Sequence, residues 1–196
     1  MHGASDPAVQ ASYMKNLLSG LERRELAAGL AGAAPEVGEQ VAAAGRLTWL
    51  PVDLNVRAVG WLCETLGEDR ALHLLADCVH EQFDTPLWKN FVTGAVRLLG
   101  KDPGDLGRWI PKAFSLVFRD CGAWNVLQSG ECELTLVLSD IPASLVGERR
   151  WLRSLGVGMQ PLFTVCGETG TSDLAAIDPA TRVARYELSW KPAQQA

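Results

Sequence analysis

Apolar residues recur every three or four positions through the first half of this chain and every two positions in parts of the second. From Ala11 to about Leu30, Tyr13, Leu17, Leu18, Leu21 and Leu26 fall on one side of a predicted helix, since positions three and four apart share a helix face. Gly29 and the stretch AGAAPEVG then interrupt the pattern. A second helix is predicted in TWLPVDLNVRAVGWLCETLG. Thr48 is its candidate cap, Pro51 suits its first turn, and Gly67 ends it. Leu54, Ala58, Trp61, Leu62 and Thr65 line one side of that helix. EDRALHLLADCVHEQFD follows, with acidic residues at its start, where the helix dipole favours them. Its apolar stripe is Leu72, Leu75, Val79 and Phe83, with Leu74 and Cys78 alongside. Two more amphipathic helices complete the run. One carries Trp88, Phe91, Val92, Ala95 and Leu99, and the other carries Trp109, Phe114, Val117 and Phe118 with Pro111 in its first turn.

Beyond Gly122 the period changes to two. AWNVLQSGECELTLVLSD predicts a hairpin turning at Ser129-Gly130, in which Leu134, Leu136 and Leu138 alternate with Glu133, Thr135 and Val137. PASLVGERRWLRSLGVGMQPLFTVCGETG predicts helix with Val146, Trp151, Leu152, Leu155, Met159, Leu162, Phe163 and Cys166 inward, interrupted at GVG and Pro161. GETGTSD predicts a helix C-cap followed by a loop. A second hairpin, turning at DPAT, ends in a strand that buries Ala184, Tyr186, Leu188 and Trp190. The sum is an α+β fold: a helical N-terminal half packed on a four-stranded antiparallel sheet of ββ-α-ββ order. A chain of 196 residues suits one domain spanning 1–196, with 1–10 and 191–196 expected as loose termini.

Composition narrows the function classes. The chain is 47% hydrophobic and 21% charged, a globular balance, and its net charge of −5 supplies no basic field for nucleic acid. No apolar run reaches the length of a membrane span, and MHGASDPAVQ has no signal-peptide pattern. Cys63, Cys78, Cys121, Cys132 and Cys166 form an odd set without a CxxC pair, which points to reduced thiols and a cytoplasmic location. Phosphate-loop, dinucleotide, zinc-protease and nucleophile-elbow motifs are absent.

One cluster invites a chemical reading. His73, Asp77, His80, Glu81 and Asp84 make the stripe opposite the apolar face of their helix. A metal site needs ligands from a second element as well, and the third histidine, His2, lies in the terminus. The stripe is therefore predicted to be a solvated face, with His73–Asp77 and His80–Asp84 pairs four residues apart, and no metal or catalytic residue is assigned. An enzyme reading would require this stripe to border a cleft.

Seven tryptophans are spread over the helices and strands. The segments TWLPVDLNVRAVGWLCETLG, LLADCVHEQFDTPLWKNFVTGAVRLLG and DPGDLGRWIPKAF, with the tail CELTLVLSD, WLRSLG and RVARYELSW, cover most of the chain. In them the sequence resembles a paralogous myxobacterial family, a domain of unknown function. The pattern is also similar to the ligand-binding superfamily of haem–nitric-oxide sensors, four-vinyl-reductase domains and TRAPP vesicle-tethering subunits. That resemblance implies helices set against an antiparallel sheet around an apolar pocket, or a dimerising surface. The Tyr-x-Ser-x-Arg motif that holds haem propionates in the sensors is missing, because Tyr13 opens YMKNL and Tyr186 opens YELSW. No cofactor is predicted. The expectation is a non-enzymatic sensor or regulatory domain holding a small apolar ligand between helices and sheet, in a cavity of at least a few hundred cubic ångströms. Trp88, Phe91, Trp109, Phe114, Phe118 and Trp151 are its candidate lining. The alternative is an adaptor that forms a homodimer or binds a signalling protein and takes no ligand.

Overall fold

A computed structural model describes residues 6–83 and 85–191, the side chains at 86 and 87 excepted. The first part of the chain is β1 (Ala8–Gln10), α1 (Ala11–Glu22), α2 (Ala27–Ala33), α3 (Pro35–Ala43), β2 (Trp49–Pro51), α4 (Asp53–Leu66) and α5 (Glu68–Gln82). Then come α6 (Pro86–Leu99), α7 (Pro103–Gly107), α8 (Ile110–Val117) and β3 (Phe118–Arg119). The last part is β4 (Ala123–Ser129), β5 (Glu133–Ser139), α9 (Arg149–Val157), α10 (Pro161–Cys166), β6 (Thr169–Asp178) and β7 (Val183–Lys191).

Strands β4 to β7 form the expected antiparallel four-stranded sheet, in the order β4-β5-β7-β6. Period-two alternation sends Leu134, Leu136 and Leu138 of β5, and Ala184, Tyr186, Leu188 and Trp190 of β7, to the buried face. Helix α9 lies against that face. Gly156 lets it approach closely, since a Cβ there would sit 3.2 Å from the Tyr186 ring. The Tyr186 hydroxyl donates to the Leu152 carbonyl at 3.0 Å, which satisfies the one polar atom of a buried ring. The two outer strands each slip register by one residue, at Val126/Gln128 in β4 and at Leu174/Ala176 in β6. The β5–β7 ladder between them runs without a slip. One continuous apolar core joins this sheet to the helices of the first half.

Several local expectations change. The helix expected from Ala11 to Leu30 is two helices, parted at Glu25, whose φ of 60° is left-handed. AGAAPEVG interrupts helical structure only at Ala34. It contains the end of α2 and the start of α3, with Pro35 in the first turn and Val37 and Val41 buried one turn apart. Trp49–Pro51 is strand, so Thr48 does not cap α4 and Pro51 is not in its first turn. The helix begins at Asp53 behind Val52.

Residues 8–10, expected within a loose terminus, instead form β1. It pairs antiparallel with both β2 and β3 in a small second sheet, with Val9 opposite Leu50 on one side and Phe118 on the other. Residues 1–5 and 192–196, including His2, lie outside the described residues. Gly167 takes the left-handed cap of α10 as expected, but strand β6 starts at Thr169, where a loop was expected.

Candidate functional site

An apolar cavity of about 170 Å³ lies where α1, α5, α6, α8, α9 and α10 converge. Helix α5 contributes Val79 and Gln82, with Phe83 just beyond its end. Trp88, Phe91, Val92 and Ala95 face it from α6, and Ile110, Ala113, Phe114 and Val117 from α8. Tyr13 of α1, Phe118, Leu155, Met159 and Leu162 close other sides. The described lining contains no Asp, Glu, Lys, Arg or His. Burial pushes the Tyr13 phenol far above its usual range, so it too stays uncharged.

Five of the sequence candidates, Trp88, Phe91, Trp109, Phe114 and Phe118, come together at this wall. Their rings meet one another as much as they meet the space. Trp88 and Phe91 lie edge to face at 5.6 Å between centroids, Phe91 and Trp109 at 5.5 Å, and Phe114 stacks on Phe118 at 4.8 Å. This mutual filling leaves less room than the few hundred cubic ångströms expected. The sixth candidate, Trp151, is fully buried behind Phe118 at 5.8 Å and is not among the lining residues. Its indole N–H donates to Asn55 Oδ1 at 2.9 Å, and the residue borders a separate, charged cleft of about 600 Å³. Two arginines of that cleft are engaged: Arg57 with Glu36 and Asp53, Arg150 with Glu64.

Gln82 is a lining residue that the sequence reading passed over. It lies on the buried side of α5, seven residues after Leu75 and four after Cys78, and that spacing was the available signal. Its side-chain Nε2 is buried without a hydrogen-bond partner among the described residues. Ser154, also at the wall, donates its hydroxyl to the Trp151 carbonyl at 2.7 Å.

The polar stripe of α5 faces away. His73, Asp77 and His80 are exposed, and none of the stripe's described residues lines the cavity. The expected His73–Asp77 pair is replaced by a contact of His73 Nδ1 with the Asp69 carbonyl at 2.8 Å. Glu81 accepts from Arg24 at 2.7 Å and also from Arg23. Asp84, and with it the expected His80–Asp84 pair, lies outside the described residues. Among the described residues, no three His, Cys, Asp or Glu side chains gather as a metal site. Desolvation pushes the thiols of Cys78 and Cys166 up to about 11 and that of Cys121 up to about 12, which keeps them protonated at neutral pH. Large exposed apolar side chains, Leu47, Leu98, Val126 and Leu127, sit on a loop, on α6 and on β4. No described helix is long and apolar enough to cross a membrane.

This arrangement of helices over an antiparallel sheet is the H-NOX fold. The chain is similar to the Fe(II) unliganded H-NOX protein from K. algicida, with 11% identity and a TM-score of 0.63 over 95% of this chain and 99% of that one. A mutant of the same protein gives 11% identity and a TM-score of 0.64, over 94% and 98% of the two chains. A Cs H-NOX mutant gives 8% identity and a TM-score of 0.59, over 93% and 96%. A trafficking protein particle complex subunit 3 from Naegleria fowleri is a more distant likeness, with 11% identity and a TM-score of 0.45 over 70% of this chain and 93% of that one. No family model and no curated relative matches the chain.

Proposed function

We propose that this chain is a haem-free sensor or regulatory domain that takes a small apolar ligand in the cavity beneath α6 and α8. The observation that carries the reading is an uncharged, aromatic-rich cavity retained in a fold whose solved relatives include haem proteins. Haem itself does not fit these residues. The described wall offers no histidine or cysteine to bind iron and no arginine or lysine to meet propionates. His73 and His80 are exposed and neither lines the cavity.

Size supports the same reading. The cavity's 170 Å³ is below the roughly 300–1,000 Å³ of drug-sized sites, and a porphyrin needs far more. It is close to the roughly 150 Å³ at which a dry, Leu/Ile/Phe-lined cavity accepts benzene or xenon. The matching ligand is therefore about the size of a single ring.

Benzene titrated into the protein and followed by methyl and aromatic NMR should give saturable shifts at Met159, Leu155 and Phe114. Ala113→Leu, which places three extra carbons in the cavity, should weaken them at least tenfold while the fold's other signals persist. Unsaturable shifts spread over the surface would count against the proposal.

A further inference from the structure

Gln82 sits at the wall of the apolar cavity with 4% of its surface exposed, and its carboxamide Nε2 has no hydrogen-bond partner among the described residues. Its backbone carbonyl is fully used, accepting from the Thr85 amide at 3.0 Å and from the Thr85 hydroxyl at 2.6 Å. Those bonds fix the last turn of α5 and so fix where the side chain is rooted. Buried polar groups in proteins are nearly always paired, because an unpaired one has given up its hydration for nothing. A polar group left unpaired in an otherwise apolar pocket is where such pockets fix the orientation of what they bind.

We infer that Gln82 is the polar anchor of this cavity, and that its ligand is an uncharged, ring-sized molecule carrying one hydroxyl or carbonyl group. This inference rests on the reading of the cavity as a ligand site. A carboxamide both donates and accepts, so either group finds a partner at it. The absence of any charged residue from the described wall selects a neutral ligand, since a bare ion there would lose its hydration without a counter-charge. Gln82 is thus assigned a specificity role: the aromatic walls favour any apolar ring, and the amide selects among rings.

Benzene and phenol, matched in shape and differing by one hydroxyl, test the assignment. Dissociation constants for both are measured on the wild type and on Gln82→Met, which keeps the side chain's length and removes the amide. The expected result is that the phenol-over-benzene preference falls roughly tenfold in the variant, the worth of one neutral hydrogen bond at the upper end. In the wild type, the Gln82 side-chain NH₂ resonances should move with phenol and stay nearly still with benzene. That second readout decides the matter alone if Gln82→Met fails to fold. An unchanged preference together with unmoved NH₂ signals overturns the Gln82 assignment while leaving the cavity reading in place. Failure of both probes to bind the wild type saturably removes the cavity reading, and the Gln82 assignment with it.

Discussion

Asn55 of α4 accepts the Trp151 indole N–H at 2.9 Å and donates to the Met14 sulfur at 3.4 Å, so one buried amide ties α1, α4 and α9. Asn55→Ala leaves the indole N–H buried and unpaired. It should lower unfolding free energy by about 1–3 kcal/mol in a urea titration. Two glycines should behave in opposite ways. At Gly170 a Cβ would lie 2.7 Å from the Ser189 carbonyl oxygen and 2.8 Å from the Phe163 ring, and a backbone atom cannot swing aside. Gly170→Ala should therefore destabilise by about 1–3 kcal/mol. At Gly60, inside α4, nothing lies within 4 Å of the added carbon, so Gly60→Ala should raise stability by up to about 1 kcal/mol through helix propensity. Thermal melts of the two variants beside the wild type check both signs. Glycine identity alone did not separate these cases. Gly29 reads in the sequence as a helix breaker, yet it lies inside α2, where a Cβ would come 2.8 Å from the Trp61 ring. It serves packing, which only the partner reveals.

Helices α1 and α5 are clasped at their C-terminal ends by Glu81, which accepts from both Arg23 and Arg24. The hydrogen bond from Arg24, followed by that from Arg23, holds the Glu81 carboxyl below the usual carboxylate range. A carboxylate depressed in the folded state adds stability above its unfolded pKa and loses that contribution as pH falls through the folded one. The side chain is 38% exposed, so the clasp contributes at most about 1 kcal/mol. Glu81→Gln should cost that amount at pH 7, and the gap between variant and wild type should close on acidification through the carboxylate range. A gap of constant size across that range would remove the electrostatic account. Elements with long periodic patterns, such as α4, α5 and β7, were legible because one buried face repeats over several turns or pleats. The small sheet was not. Its strands span two or three residues each, too few to show a period, and they exist through pairing between segments about 40 and about 110 residues apart. Helix α3 did carry a faint mark, Val37 and Val41 one turn apart, masked by its glycine and alanine content.

At the scale of the whole molecule, the α+β architecture follows from the switch of hydrophobic period after Gly122. The cavity wall was half legible. Inward phase identified the aromatic residues, but phase says only that a side chain is buried, which is why Trp151 shares the pattern of Phe114 while lying outside the cavity. The thiols report on how the molecule opens as a unit. Cys63, Cys78, Cys121 and Cys166 are buried, and Cys132, in the β4–β5 turn, is half-buried. An alkylating reagent at neutral pH should modify Cys132 first. The other four should wait for global unfolding, with mass spectrometry at rising urea giving the order. Early labelling of Cys166 alone would mark α10 as a locally opening segment.

The register slips in β4 and β6 carry a last consequence. A regular outer strand offers a straight row of free amides and carbonyls on which another chain's strand can grow, whereas a bulge bends that row and breaks its spacing. Here both margins of the sheet are bent and only the interior ladder is regular. Even with Leu127 exposed on β4, these bends oppose lateral growth of the sheet, and concentrated solutions of the folded protein should show no fibrils by thioflavin fluorescence.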